Sequence, residues 1–119
     1  MTRYLISFGA HAMDHIPEGD MPAVADAAHA VIQEALHAGV YLFTGGLEDR
    51  RASIVDTDGA VTDGPYPEAV GGVTVVDVTS REAALEWAAK IALACRCAQE
   101  VRPFGPDPEL DAMIRQADV

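Results

Sequence analysis

Basic residues are scarce in this chain: eight Lys and Arg stand against 19 Asp and Glu, a formal net charge of −11. Apart from the adjacent Arg50 and Arg51 the eight are scattered, and nucleic acid binding needs a basic face that releases counterions. Nucleic acid is therefore excluded as a partner, and an acidic surface also disfavours anionic membranes. Long apolar runs are missing too, none approaching the roughly 20 residues that span a bilayer. The opening Met-Thr-Arg-Tyr-Leu-Ile-Ser-Phe-Gly carries one positive charge and a short apolar stretch, which reads as a strand rather than a signal peptide. There are only two cysteines, Cys95 and Cys97, and the single residue between them makes a mutual disulfide sterically poor. They read as reduced thiols of a cytoplasmic protein. No CxxC pair, zinc-spaced Cys/His set, Gly-x-Gly-x-x-Gly, phosphate-binding loop or Gly-x-Ser-x-Gly occurs, so neither metal nor nucleotide nor other cofactor is expected.

What remains is one domain over 1–119, with half of its residues hydrophobic and much of that half alanine. Residues 3–9 are rich in β-formers and predict a first strand. The loop 10–21 holds His11, His15, Pro17 and Gly19. Asp20 is placed to N-cap a helix from Pro22 to Ala38, with Val24, Ala28, Val31, Ile32, Ala35 and Leu36 at helical spacing and Gly39 closing it. A second strand follows over 40–47, ending in the Gly45-Gly46 pair. Thr57-Asp58-Gly59 between 52–56 and 60–62 predicts a hairpin. Residues 63–67 contain two prolines and cannot be regular structure. Residues 72–79 are the clearest strand. Thr79-Ser80-Arg81-Glu82 has the form of a capping box and opens a helix whose apolar face is Ala84, Trp87, Ala88, Ile91 and Cys95. Residues 97–103 predict the last strand, and 103–119 a tail with a weak helix around Leu110, Met113 and Ile114.

This order is an α+β one: two strand–helix–strand crossings in one small, mostly antiparallel sheet, the ferredoxin-like split βαβ arrangement, with both helices on one face. The strand over 72–79 carries apolar residues on both sides, Val73 and Val75 opposite Val76 and Val78, so both faces of the sheet need cover. The chain has no third layer to spare, and a homodimer packed sheet to sheet supplies one.

Val61-Thr62-Asp63-Gly64-Pro65-Tyr66-Pro67-Glu68, followed by Gly71-Gly72-Val73, resembles the signature of the YCII-related family, and within it the DGPF branch, with Tyr66 at the usual phenylalanine. Ala38-Gly39-Val40 with Gly45-Gly46-Leu47, then 80–88 with its Glu-Ala-Ala-Leu-Glu-Trp-Ala core, then Glu100-Val101-Arg102-Pro103 follow in the family's order. The resemblance covers about residues 3–103. It implies a dimeric α+β barrel of ferredoxin-like protomers, and much less about activity. A distant branch includes a muconolactone dechlorinase, and some relatives are encoded beside extracytoplasmic-function sigma factors. In other members a His–Asp pair has been proposed as the active site, the histidine in the first helix and the aspartate near its end. His29 is the nearest match here, and Leu36-His37-Ala38 supplies no aspartate.

Among individual residues, Asp63 at the Gly64-Pro65 bend is the first candidate for a pocket carboxylate, able to take protons or bind a polar ligand. The competing reading has its side chain bonded within the turn. Glu68 is close enough on the same loop to split carboxyl pKa values with it. His29, at the edge of the first helix's apolar face, is placed to act as a general base in a cavity between helix and sheet, or else as half-buried packing. Tyr66, Gly45, Gly46 and His11 complete the candidate substrate-binding set. His11 and His15 with Asp14 between them have a spacing that binds metal on a helix, but Pro17 follows too closely, so no metal is expected. The expected function is binding of a small molecule, a small organic acid or lactone, with metal-free acid/base chemistry of the lyase or hydrolase type if Asp63 and His29 are catalytic. The alternative is a non-catalytic regulatory or partner-binding module, linked to transcription regulation.

Overall fold

A computed structural model describes residues 1–48, 52–64 and 70–117. β1 (Thr2–Gly9) leads through a loop and a short 3-10 turn (Glu18–Asp20) into α1 (Met21–His37). β2 (Tyr41–Gly46), the hairpin β3 (Ala52–Val55) and β4 (Val61–Gly64), and β5 (Val70–Val78) follow. α2 (Arg81–Cys95), β6 (Glu100–Pro103) and α3 (Pro108–Ala117) complete the chain. β2, β5, β1 and β6 lie side by side in that order, every neighbouring pair antiparallel. β1 and β2 thus run parallel with β5 between them, the split βαβ topology expected for an α+β chain. β3 and β4 form a separate two-stranded sheet. No described helix is long and apolar enough to cross a membrane.

Alternation along the two central strands decides which side is core. On β1, Tyr4 and Ile6 are buried, and Ile6 is wholly inaccessible. On β5, Thr74, Val76 and Val78 are buried with them. This face packs on Val31 of α1 and on Ala84, Ala88, Ile91, Ala94 and Cys95 of α2. The small residues of α2 bring the helix close to the sheet, so alanine serves the core here although each side chain buries little area. Arg96 donates to Asp20 (2.9 Å) and Lys90 to Glu34 (2.9 Å), linking the two helices at both levels.

Several boundaries differ from the sequence reading for physical reasons. Asp20 occupies the N-cap position of α1 as expected, but its side chain makes no capping hydrogen bond, because the 3-10 turn gives it helical backbone angles and its carboxylate is taken by Arg96. Leu36 is exposed, because the buried stripe of α1 runs through Val24, Val31 and Ala35 and leaves it to the side. Thr79-x-x-Glu82 does not form a capping box. Ser80 is the N-cap, its hydroxyl accepting from Ala83 N at 3.1 Å. The last strand begins at Glu100, not 97, because α2 ends in a left-handed turn at Arg96 (φ 58°) that consumes the next residues.

Candidate functional site

The other face of the sheet has no helix of the α1–α2 layer on it. Register places Arg102, Leu5, Val75 and Phe43 in one row across β6, β1, β5 and β2. The next row is Glu100, Ser7, Val73 and Gly45, and on the opposite side lie Arg3 and Asp77. The centre is apolar and half-buried, while Phe43 is 57% exposed. Gly45 lies beside the Phe43 ring, where a Cβ would meet the ring at an ordinary contact distance of 3.4 Å.

At the Ser7–Glu100 end the sheet opens into a cavity of about 510 Å³ lined by Ser7, Phe8 and Gly9, by Val70, and by Ala98, Gln99 and Glu100. Local sequence builds it. The register between β1 and β5 slips at Phe8/Gly9. A Cβ on Gly71 would stand 2.7 Å from the Gly9 carbonyl oxygen, and one on Gly72 would stand 2.5 Å from the Phe8 ring. Only glycines let the two strands and the Phe8 ring close up there. On the far wall, the Gln99 side-chain amide donates to the Cys97 carbonyl (3.3 Å) and lies 3.5 Å from Cys97 Sγ, which fixes the turn after α2. Burial raises the thiol pKa values of Cys95 and Cys97. The neighbouring Cys97 raises Cys95 further, and the Gln99 contact pulls Cys97 partly back. Both are free thiols. The cavity offers a hydroxyl, an amide and a carboxylate, and no basic side chain lines it.

The candidates named from sequence are scattered. Asp63 sits on β4, where Ser53 Oγ donates to its carboxylate across the hairpin, and both side chains are exposed. His29 is exposed on α1 rather than directed into a cavity between helix and sheet, because α1 buries Val24, Val31 and Ala35 instead. No hydrogen bond or ion pair joins His29 to Asp63 among the described residues. His11 pairs with Asp14 through Nδ1 at 2.9 Å and is largely in solvent, two residues past the cavity's Gly9. Gly45 and Gly46 lie on the edge strand β2, Gly45 on the helix-free face. Glu68 and Tyr66 fall outside the described residues. Among the described residues no group of three His, Cys, Asp or Glu side chains is arranged to hold a metal ion.

The residue that sequence reasoning passed over is Asp77. Its Oδ1 is buried and has no hydrogen-bond partner. Arg3, its cross-strand neighbour, turns instead to Asp111 of α3 at 3.0 Å. The signal was there to read: an aspartate between valines in the most apolar strand of the chain.

With this topology in place, residues 14–104 match the YCII-related domain. The chain belongs to the YCII-related family. No curated protein matches it closely enough to count as a relative.

Proposed function

We propose that this YCII-family chain is a cytoplasmic small-molecule-binding protein of the DGPF branch, working as a homodimer whose sheets face each other in an α+β barrel. The observation that carries the binding reading is the cavity at the Ser7–Glu100 end, which has the volume of small-ligand sites and a hydroxyl, an amide and a carboxylate among its lining residues. Glu100 at its rim and the lack of a basic lining residue favour a neutral lactone that also carries a hydroxyl donor over a carboxylate. Exposed surface supports the dimer. The chain shows 8513 Å², about 2,300 Å² more than a monomer of this mass ordinarily does. Its radius of gyration is 16.2 Å, against about 13.5 Å for a compact domain of this length. If each copy hides most of the excess, the pair buries about 4,000 Å², the size of an obligate interface.

Acid/base chemistry of the lyase or hydrolase type remains attached to Asp63 and His29, with Glu68 in support. It requires groups from two copies to meet, since nothing joins the two within one. That separation favours the binding role over the enzymatic one, and it equally suits a regulatory module whose acidic surface meets a protein partner.

Thermal-shift measurement against neutral lactones and matched carboxylates tests the reading. Lactones are expected to stabilise the wild type, with the shift lost in Ser7→Val and Glu100→Gln. Stabilisation unchanged in both variants removes the cavity assignment. Loss of the shift in Asp63→Asn and His29→Ala as well would bring those residues into the site.

A further inference from the structure

On the helix-free face one arginine stands between two carboxylates. Arg3 lies directly across from Asp77 in the β1–β5 register. Opposed residues have Cβ atoms about 5 Å apart, well within an arginine's reach. Yet the guanidinium is turned away, its Nη1 donating to Asp111 Oδ1 of α3 at 3.0 Å. Asp77 keeps a buried Oδ1 without a donor. On its other side Asp77 meets β2, its N–H donating to the Val40 carbonyl at 2.8 Å, and β2 carries no basic residue. Arg3 is therefore the cation placed to satisfy it. The present choice is finely balanced. The Arg3 and Asp111 side chains are 41% and 36% exposed, and a pair so open to water adds little stability. A buried carboxylate oxygen without a donor is costly.

Little else holds α3. None of its residues is buried, and Leu110, Met113 and Ile114 are 46%, 59% and 42% exposed. A helix this short is marginal without packing. Its start is built locally, Asp107 Oδ1 accepting from Leu110 N at 3.0 Å. The chain before it is fastened to β1, Phe104 N donating to the Arg3 carbonyl at 2.9 Å. Between the two, a Cβ on Gly105 would meet nothing within 4 Å. A fixed point, an open joint at 105–107 and a lightly held helix follow one another.

We propose that α3 is a strap over the Arg3–Asp77 end of the helix-free face, latched while Arg3 holds Asp111 and released when the guanidinium crosses to Asp77. Latching leaves Asp77 unpaired and release satisfies it, so each state carries its own compensation. Release bares that end of the face. The exchange takes place within one chain and stands apart from the cavity and the dimer proposed above. Salt biases it: screening weakens the exposed Arg3–Asp111 pair more than a pair made at the buried Oδ1, so high ionic strength favours release.

Amide hydrogen exchange of the full chain, read by mass spectrometry on α3 peptides with β5 peptides as the check on folding, tests it. Asp111→Asn is expected to speed exchange in α3 by about 5-fold. Asp77→Asn removes the competing carboxylate and is expected to slow it by about 5-fold. In an Arg3→Gln background, Asp77→Asn is expected to change nothing in α3, since both carboxylates act through the one guanidinium. Salt at about 1 M is expected to speed α3 exchange in the wild type and to leave Asp111→Asn as it was. A merely structural Asp77 would loosen α3 or leave it alone when substituted, never tighten it. Unchanged or faster α3 exchange in Asp77→Asn overturns the switch, and unchanged exchange in Asp111→Asn overturns the latch. If Asp77→Asn loses protection in β5 as well, the Arg3 guanidinium N–H signals of Asp111→Asn decide by nuclear magnetic resonance. Their persistence is expected, with Asp77 holding them, and their loss to solvent exchange overturns the crossing.

Discussion

The two faces of one sheet are made from the same strands and finished in opposite ways. Tyr4, Ile6, Val76 and Val78 meet α1 and α2 and are closed off within the chain. Leu5, Val73, Val75 and Phe43, their immediate neighbours in sequence, form a surface nearly as apolar that no helix of this layer covers. The covered face measures what the chain stabilises alone, and the open face is where the dimer proposed above would add to it.

The largest expected effect separates the two. Ile6→Ala removes a wholly buried side chain and is expected to cost about 3–4 kcal/mol, a fall of roughly 12–16 °C in Tm for a chain of this size. That loss is independent of protein concentration. Leu5→Ala, one residue away, is expected to cost about 1 kcal/mol in dilute solution and, on the dimer proposed above, about 2–3 kcal/mol at tens of micromolar. Denaturation curves at two concentrations read the difference. An equal loss at both would mean that the open face is finished in the monomer and the comparison fails.

A glycine on each face sharpens the contrast. Gly72 lies under the Phe8 ring on the covered face, where an added Cβ would stand 2.5 Å from the ring. Gly72→Ala is expected to cost about 2–3 kcal/mol, with Phe8→Leu recovering part of it. Gly45 lies under Phe43 on the open face, where the same Cβ meets the ring at an ordinary 3.4 Å. Gly45→Ala is expected to stay within about 0.5 kcal/mol. Urea midpoints of the two variants decide whether the covered face is in fact the tighter one.

The fold was legible because its signals are local and periodic: alternation on β5, helical spacing on α2, the Asp58-Gly59 turn of the hairpin. The site was not, because its parts are defined by register. Ser7 meets Glu100 only through the β1–β6 pairing, nearly a chain length apart. Asp77 becomes an orphan only because Arg3 is drawn off by Asp111, 108 positions away in sequence. His29 shows the reverse error. Its place at the edge of an apolar stripe left its direction open by part of a turn, and α1 rotates it outward. The cap of α2 is a smaller case of the same ambiguity. Thr79 and Ser80 both precede an acidic turn, and only the geometry selects Ser80. Ser80→Ala is expected to cost about 1 kcal/mol and Thr79→Ala close to nothing, again by urea midpoint. The reverse order would put the start of α2 one residue earlier than the covered face shows.

The smallest effect concerns the two thiols at the end of that helix. Cys95 is buried against the covered face, and Cys97 is half-buried beside the cavity. Burial raises both pKa values above the ordinary 9.0, that of Cys95 with help from Cys97. In the unfolded chain both ionise near 9, so around and above that pH the unfolded state binds fewer protons than the folded one. Their stabilising contribution is therefore whole below pH 9 and is lost as the pH climbs through the raised values. The wild type is expected to lose stability above pH 9 more steeply than Cys95→Ala/Cys97→Ala, measured as urea midpoint against pH. Iodoacetamide is expected to reach Cys97 well before Cys95, since only Cys97 lies toward the open end of the sheet. Parallel slopes would mean that the two thiols do not carry the alkaline loss, and equal alkylation rates would mean that the covered face opens at α2 far more often than its packing implies.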